Sequence, residues 1–253
     1  MNDMTSSICG KLSEIESIEN VRIIAAVESG SRAWGFASPD SDYDVRFIYV
    51  RKRDEYLRLD RIRDVIEWQL DEVYDINGWD LQKTLILLHD SNPTVFEWCA
   101  SPIVYRSSQD FESLKEISIR YFSPKKSLHH YLHMAERNFR DSLQAPQARV
   151  KKYFYVLRPL LAAKWVVDKE LPPPMLFSEL AEAELDAELR PEVERLLVMK
   201  REVPETEMIP VIPVLYDYVE RNLDWLEEIA SQMPSRRTQW EPLNEFFREM
   251  TDW

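Results

Sequence analysis

Two aspartates, Asp42 and Asp44, have the spacing best suited to chemistry, because they open an apolar stretch with one residue between them. In a β-strand, residues i and i+2 project to the same face, so the two carboxylates converge while Tyr43 points away. Neighbouring carboxylates repel each other, and burying them is costly unless a divalent cation neutralises them. Mg²⁺ suits such a pair and keeps water and substrate phosphate oxygens as its other ligands. The pair therefore predicts a magnesium site.

A glycine and a serine, Gly30 and Ser31, precede this pair in a chain that has only 4 glycines. Gly30 lets the backbone approach phosphates with no Cβ in the way, and Ser31 adds a hydroxyl and an amide as donors. A Ser-Asp-x-Asp string alone is more often a capped turn or the solvated end of a strand. The preceding Gly-Ser turn favours a nucleoside triphosphate that is held by a loop and clamped by the metal.

These residues must be positioned by two strands joined by a polar loop. The run Val21–Val27 is apolar and β-branched, the segment 28–41 is polar, and a second strand is predicted from Asp42 to Val50. A helix ending near Ile18 precedes the first strand. Two further β-prone pieces, 64–68 and 72–76, lead to an Asn77-Gly78 turn, where we expect the sheet to end before a helix from Trp79 to Leu88.

The second half of the chain has helical periodicity from about Lys115 onward. The predicted helices cover 128–143, 149–169, 177–199 and 214–233. The fold class predicted is α+β, with a small mixed-sheet domain over residues 1–114 and an all-helical domain over residues 115–253. We expect the helical domain to form the other wall of the active-site cleft.

Composition limits the partners of the protein. The formal net charge of −13 disfavours long nucleic acid and anionic membranes unless basic residues are gathered locally. The chain has only 2 cysteines, no signal-peptide pattern and no apolar run long enough to cross a bilayer, so we expect a cytoplasmic protein.

The order of these elements resembles a known signature. Gly30-Ser31, a spacer with a second glycine, and then Ser41-Asp42-Tyr43-Asp44 on a strand is similar to the motif of the polymerase-beta-type nucleotidyltransferase superfamily. Later runs resemble the YcgL-type group of predicted bacterial and phage nucleotidyltransferases. These runs are 75–83, 91–93 and 97–98, with two more at 151–155 and 157–160. The resemblance covers most of the first 110 residues.

The resemblance implies a set of metal ligands. In the superfamily the two carboxylates of the motif bind two metal ions, here Asp42 with Asp44, and a third carboxylate helps to deprotonate the attacking hydroxyl. We choose Asp75 as the third, because it lies in a β-prone stretch just before a helix. Asp80, which could instead cap that helix, and Glu67 are the alternatives. Two Mg²⁺ ions are expected, with Mn²⁺ able to substitute, and the co-substrate is a nucleoside triphosphate, with ATP preferred.

Other residues have two interpretations each. Lys152, Tyr155 and Arg158 lie in a locally basic segment and are candidates for binding the nucleotide, or else they form a solvated stripe beside a packed aromatic one. Arg46 could touch phosphate or simply balance the acidic cleft. His129 and His133 share a helical face with Glu136 one turn on, a spacing that is common by chance and only weakly indicates a metal site.

The predicted reaction is transfer of a nucleoside monophosphate to an acceptor hydroxyl with release of pyrophosphate. The acceptor could be a small molecule, a protein or a short RNA end, and the fold cannot choose among them. Two alternatives are a non-catalytic module that binds a nucleotide or a protein, and an antitoxin-like enzyme that nucleotidylates a partner protein.

Overall fold

The structure is a computed structural model that describes residues 3–202, 207–234 and 238–253. Its helices are α1 (Asp3–Glu19), α2 (Gly30–Ala33), α3 (Arg53–Tyr56), α4 (Leu81–His89), α5 (Pro93–Cys99), α6 (Gln109–Ser118), α7 (Pro124–Ser142), α8 (Val150–Lys169), α9 (Phe177–Glu184), α10 (Arg190–Glu202), α11 (Pro213–Gln232) and α12 (Glu241–Thr251). Its strands are β1 (Arg22–Glu28), β2 (Tyr43–Val50), β3 (Val65–Leu70), β4 (Tyr74–Asp80), β5 (Val104–Ser107), β6 (Gln147–Arg149) and β7 (Met208–Pro210).

Five strands form one mixed sheet in the order β3-β4-β2-β1-β5. Strands β2 and β4 run parallel, and the other neighbouring pairs are antiparallel. The end of β1 and the starts of β2 and β4 therefore meet at one end of the sheet. The described residues form two compact units: 3–33, 41–121 and 238–253 in the first, and 34–40, 122–202 and 207–234 in the second.

The core of the first unit explains why buried and polar side chains alternate along its strands. Helix α1 buries Leu12 and Ile15 against the sheet, whose residues Val45 and Ile76 lie in the same buried cluster. Because side chains alternate along a strand, the residues between these apolar positions project to the opposite face of the sheet. The predicted helix before the first strand, now α1, and the first two predicted strands, β1 and β2, are confirmed. The polar loop between these strands contains the one-turn helix α2.

The prediction of a turn at Asn77-Gly78 is wrong. Both residues lie inside β4, which pairs in parallel with β2 and continues to Asp80. Gly78 lies opposite Phe47, and a Cβ at Gly78 would come within 2.5 Å of the Cζ atom of that ring. The glycine is thus required by the close packing of an aromatic side chain and not by a turn.

Replacing Gly78 by alanine should lower the free energy of unfolding by about 1–3 kcal/mol, because the new methyl group overpacks the site against Phe47. Denaturant unfolding measures this change. The matched control is Gly10→Ala in α1, where a Cβ would meet nothing within 4 Å, and which should stabilise by about 0.5–1 kcal/mol. Equal midpoints for Gly78→Ala and the wild type would contradict the packing described.

The prediction that the sheet ends before the helix at residue 79 is also wrong, because β5 comes later in the chain and pairs with β1. The predicted helix over 177–199 is divided into α9 and α10 by a short 3₁₀ turn at Ala187–Leu189. Pro191 lies in the first turn of α10, where its missing amide hydrogen costs no hydrogen bond. That proline is the signal in the sequence for a helix start at this point.

The second unit consists of α7 to α11 and the short antiparallel pair formed by β6 and β7. The α+β fold class is confirmed, and the paired strands are an addition to the predicted all-helical part. Each of these strands has 3 residues, which is too short for a period of two to be recognised. None of the described helices combines the length and the apolar character that crossing a bilayer requires.

Candidate functional site

Two of the predicted carboxylates lie side by side on parallel strands. Asp44 near the start of β2 is directly opposite Asp75 near the start of β4. Their neighbours Val45 and Ile76 are buried in the core cluster, so both aspartates project from the opposite face. Asp42 lies just before β2 and close enough for its charge to act on Asp44. The structure therefore brings Asp42, Asp44 and Asp75 to one end of the sheet.

Arg46 bridges the two opposed carboxylates. Its Nη2 atom donates to Asp44 Oδ1 at 3.0 Å and to Asp75 Oδ2 at 2.6 Å. Its Nη1 atom donates to the backbone oxygen of Asp75 at 2.7 Å. One guanidinium nitrogen thus lies between the carboxylates and balances part of their charge, as the sequence had allowed.

The compensation of charge around Asp44 is incomplete. The pKa of Asp44 is raised to about 6, chiefly by burial and also by the negative charges of Asp42 and Asp75, while Arg46 and Arg32 oppose the rise. At neutral pH the carboxylate is ionised at a cost in free energy. An additional cation next to the carboxylate would lower this free-energy cost.

Gly30 approaches Asp44 so closely that a side chain at this position would displace the carboxylate or the loop. Its φ angle is +58°, in the left-handed region, and a Cβ would lie 2.7 Å from Asp44 Cγ. Ser31 follows in the same single turn of helix and is partly exposed. The amide hydrogen of Ser29 is donated to the backbone oxygen of Asp44 at 2.8 Å. The glycine-serine segment is therefore fixed directly against the carboxylates.

A buried glutamate, Glu28, is hydrogen-bonded to the backbone of Asp44. Its side chain is at the end of β1, 0% exposed, and it accepts a hydrogen bond from the amide of Asp44 at 2.8 Å and another from the Tyr105 hydroxyl. Ser101 Oγ donates to the backbone oxygen of Glu28 at 2.6 Å. Glu28 was not predicted as a site residue, although an acid at the end of an apolar strand just before Gly30 is a visible signal in the sequence.

The pKa of Glu28 is raised to about 7 by burial, against the opposing effect of its hydrogen bonds from Tyr105 and Asp44. Between the usual value of 4.5 and 7, the unfolded chain loses this proton while the folded protein keeps it, so folding becomes less favourable as the pH rises. Glu28→Gln lacks this ionisation. The difference between the melting temperatures of Glu28→Gln and the wild type should therefore shift in favour of the variant from pH 4.5 to 7 and then stay constant.

Thermal unfolding in EDTA across this pH range tests the expectation. Glu67→Gln is the control, because that side chain is 72% exposed on the same sheet. A melting-temperature difference between Glu28→Gln and the wild type that does not change with pH would contradict the account of a buried, ionisable Glu28.

A second arginine, Arg32, orders the loop in front of the carboxylates. It donates from Nε to the backbone oxygen of Asp42 at 2.9 Å and from Nη2 to that of Ser41 at 2.5 Å. Its guanidinium also lies 3.9 Å from the centre of the Tyr43 ring. Because these contacts fix the backbone before β2, Arg32 is a positioning residue for Asp42.

Neither alternative for the third carboxylate is paired with Asp44 across the sheet. Asp80 is on the core face of β4, opposite to Asp75, and its side chain caps α4 by accepting from the amide of Gln82 at 2.7 Å. Burial raises the pKa of Asp80 to about 6, against the hydrogen bonds from Gln82 and Tyr56. Glu67 is exposed on β3 and pairs with Arg63 at 2.9 Å. Asp75 is the candidate that the structure brings next to Asp44.

The three candidates for nucleotide binding on α8 lie in the second unit. Lys152 lies 5.6 Å from the centre of the Tyr155 ring, and Tyr155 meets Trp34 edge-on with ring centres 6.0 Å apart. Arg158 is only 3% exposed and lies 4.6 Å from the centre of the Trp34 ring. Contact of these residues with a nucleotide stays a prediction.

No group of three or more histidine, cysteine or acidic side chains is arranged to hold a metal ion within residues 3–202, 207–234 and 238–253. His129 and His133, with ring centres 6.0 Å apart, thus lack a suitable third ligand among the described residues. At the carboxylates near Gly30, the guanidinium of Arg46 lies where a cation shared by Asp44 and Asp75 would have to bind.

Comparison with known proteins identifies the family. The family described as "RlaP: RNA repair pathway DNA polymerase beta family" matches residues 4–249. An uncharacterised protein of Bacillus subtilis (strain 168), YcgL, is 43% identical over 236 residues, which are 92% of this chain and 91% of that protein. A crystal structure of a nucleotidyltransferase-like protein from Exiguobacterium sibiricum 255-15 is 15% identical, with a TM-score of 0.32 over 90% of this chain and 75% of that one. That score is too low to establish a common fold. The match over nearly the whole sequence places the chain in the RlaP family, a DNA-polymerase-beta family of nucleotidyltransferase type.

Proposed function

We propose that the protein is a metal-dependent nucleotidyltransferase that moves a nucleoside monophosphate from a nucleoside triphosphate to an acceptor hydroxyl. The observation that carries this proposal is the placement of Asp44 opposite Asp75, with Gly30 in close contact with Asp44. The carboxylates on one face of the sheet provide ligands for a cation. The glycine-serine segment beside them provides hydrogen-bond donors for phosphate in the same place. Membership of a polymerase-beta family supports the same class of reaction.

Carboxylate oxygens are the type of ligand that a divalent cation such as Mg²⁺ prefers, and Mn²⁺ prefers similar ligands. Asp42 and Asp44 would hold it, and Asp75 would join them once its bond to Arg46 is released. The raised pKa of Asp44 indicates that the site lacks positive charge, which a cation would supply. When bound, two such ions lower the pKa of the attacking hydroxyl and neutralise charge on the leaving pyrophosphate.

The residues of the chain would then act as follows. Gly30 and Ser31 bind the triphosphate through backbone and hydroxyl donors, and they orient its α-phosphorus for in-line attack. Asp75 accepts the proton of the acceptor hydroxyl while the oxygen of that hydroxyl forms a bond to the α-phosphorus. The bond from the α-phosphorus to the bridging oxygen breaks, and pyrophosphate leaves. Glu28 and Arg32 keep Asp44 and Asp42 in position throughout.

We further propose that the acceptor is the 3′-hydroxyl end of an RNA. The description of the family names an RNA repair pathway. The net charge of −13 disfavours a long duplex and is compatible with a short end that enters a local site. Small molecules and proteins are the alternative acceptors.

Label transfer tests the proposal. The protein is incubated with each α-³²P-labelled nucleoside triphosphate, Mg²⁺ or Mn²⁺, and short RNAs that end in a 3′-hydroxyl or a 3′-phosphate. We expect label on the 3′-hydroxyl RNA, with ATP as the preferred donor, and none on the 3′-phosphate RNA or in EDTA. Pyrophosphate release with an aminoglycoside or a protein, and not with RNA, would contradict the proposed acceptor. Absence of pyrophosphate release with every acceptor would contradict the enzyme.

A further inference from the structure

Arg46 has the geometry of an internal counterion. Its Nη2 atom donates to one oxygen atom of Asp44 and to one of Asp75, at 3.0 and 2.6 Å. We propose that Arg46 occupies the cation position of the nucleotide-free protein, excludes a free metal ion from it, and moves to the phosphates when a metal–nucleotide complex binds. This inference rests on the proposed function.

The contacts of Arg46 explain how it blocks a metal. The Nη1 atom is fixed by the backbone oxygens of Asp75 at 2.7 Å and Val45 at 3.2 Å, so the guanidinium is held in the plane that aims Nη2 at both carboxylates. The other oxygen of Asp44 faces Gly30, and Asp75 Oδ1 accepts from Asn77 at 3.2 Å. A cation shared by Asp44 and Asp75 would therefore need the oxygen lone pairs that Arg46 uses.

The balance of charge explains why a nucleotide would reverse this arrangement. Three carboxylates, from Asp42, Asp44 and Asp75, are faced by two arginines, and Arg32 directs its Nε and Nη2 to backbone oxygens. A free divalent ion would add positive charge beside a guanidinium, and the two cations repel each other. A metal–triphosphate complex has net negative charge and offers the displaced guanidinium phosphate oxygens, with which arginine pairs in a bidentate geometry.

The consequence is an order of binding. Free metal should bind the protein weakly, and metal with nucleotide should bind tightly, because only the second ligand gives Arg46 a new partner. Arg46 would then be a residue that selects the metal–nucleotide complex over the free ion. A guanidinium with a purely structural role would instead support both kinds of binding equally.

Electron paramagnetic resonance of Mn²⁺ measures both constants at pH 8, with and without ATP, on the wild type and on Arg46→Gln. We expect the variant to bind free Mn²⁺ about tenfold more tightly or better, since the competing cation is gone. The same variant should bind Mn²⁺–ATP about tenfold more weakly, because the arginine partner of the phosphates is lost. Two effects of opposite sign cannot come from a general disturbance of the site.

The matched control is Arg63→Gln, which removes the same charge from a side chain that is 76% exposed and pairs with Glu67. Both constants should stay within about twofold of the wild type, because exposed charges are screened. If Arg46→Gln does not fold, Arg46→Lys keeps the charge but not the fork and should shift both constants in the same directions by less.

Two outcomes separate this inference from the proposed function. In the first, the wild type binds Mn²⁺–ATP but Arg46→Gln binds free Mn²⁺ no more tightly than the wild type does. This result would overturn the proposed role of Arg46 and leave the proposed nucleotidyltransferase standing. Wild-type protein that binds no Mn²⁺–ATP would overturn the proposed nucleotidyltransferase and this inference with it.

Discussion

Asp44→Asn is expected to reduce nucleotidyl transfer by about 10³-fold or more while leaving the protein at least as stable as the wild type at pH 7. The loss follows because the neutral amide is a poor metal ligand at the centre of the proposed site, where the charge of a bound cation supplies several kcal/mol. The retained stability follows because burial raises the pKa of Asp44 to about 6, so that its ionisation costs the folded protein free energy. Label transfer and thermal unfolding measure the two effects.

The control for this prediction is Asp64→Asn. Asp64 belongs to the same unit, is mostly exposed and pairs with Lys83 at 3.1 Å, away from the carboxylates of the site. Its replacement should change transfer by less than about twofold, since surface ion pairs contribute little. An Asp44→Asn variant that lost activity only because it had unfolded would contradict the prediction, as would one that kept normal activity.

Gly30→Ala is expected to weaken metal-dependent nucleotide binding by about a hundredfold or more. A Cβ at this position would lie 2.7 Å from Asp44 Cγ, and the φ angle of +58° is unfavourable for alanine. The carboxylate or the loop must move by about 1 Å, and misplacement on that scale costs about 10²-fold in a positioned site. Isothermal titration with nucleotide and Mg²⁺ measures the loss.

Gly35→Ala separates backbone strain from displacement of the carboxylate. Gly35 has a φ angle of +84°, and a Cβ there would meet Leu176 and not an acidic residue. This control should be destabilised, but at a temperature well below its unfolding transition it should bind metal and nucleotide much more tightly than Gly30→Ala. Equal binding by Gly30→Ala and Gly35→Ala would show that contact with Asp44 is not the cause.

The elements that hold the proposed site could be predicted from local patterns. A buried strand, a glycine-serine segment and a strand that opens with alternating aspartates are signals within about twenty residues of sequence. The structure has β1, α2 and β2 in that order. Asp75 could be selected because it lies in a β-prone stretch just before a predicted helix. Asp80 and Glu67 could not be excluded, because the core face taken by Asp80 and the place of Glu67 on β3, two strands away from Asp44, depend on the order and pairing of the strands.

The errors arose where distant contacts override local signals. Asn-Gly is a strong turn signal, but in this protein Asn77 and Gly78 are inside β4, because parallel pairing with β2 places Gly78 under the Phe47 ring. Strand β5 has only 4 residues and pairs with β1, which is about eighty positions earlier in the sequence. Local periodicity has no information about such a partner.

The residues around the carboxylates show the same limit. Arg46 could be assigned to the face of Asp44 by the period of two, but its bridge to Asp75 depends on the register of β2 and β4. Glu28 looked like the first residue of a polar loop. Its burial becomes apparent only when the pairing of β1 with β5 brings Tyr105 to its carboxylate.

The central claim is that Asp42 and Asp44 form a metal-dependent nucleotide site, and isothermal titration tests it most directly. Each of the four common nucleoside triphosphates is titrated into the wild type and into Asp42→Ala/Asp44→Ala, in Mg²⁺ and in EDTA. We expect at least one nucleotide, ATP first, to bind the wild type in Mg²⁺, with binding lost in EDTA and in the double variant. Binding that persists in EDTA or in the double variant, or no binding of any nucleotide to the wild type, would contradict the claim.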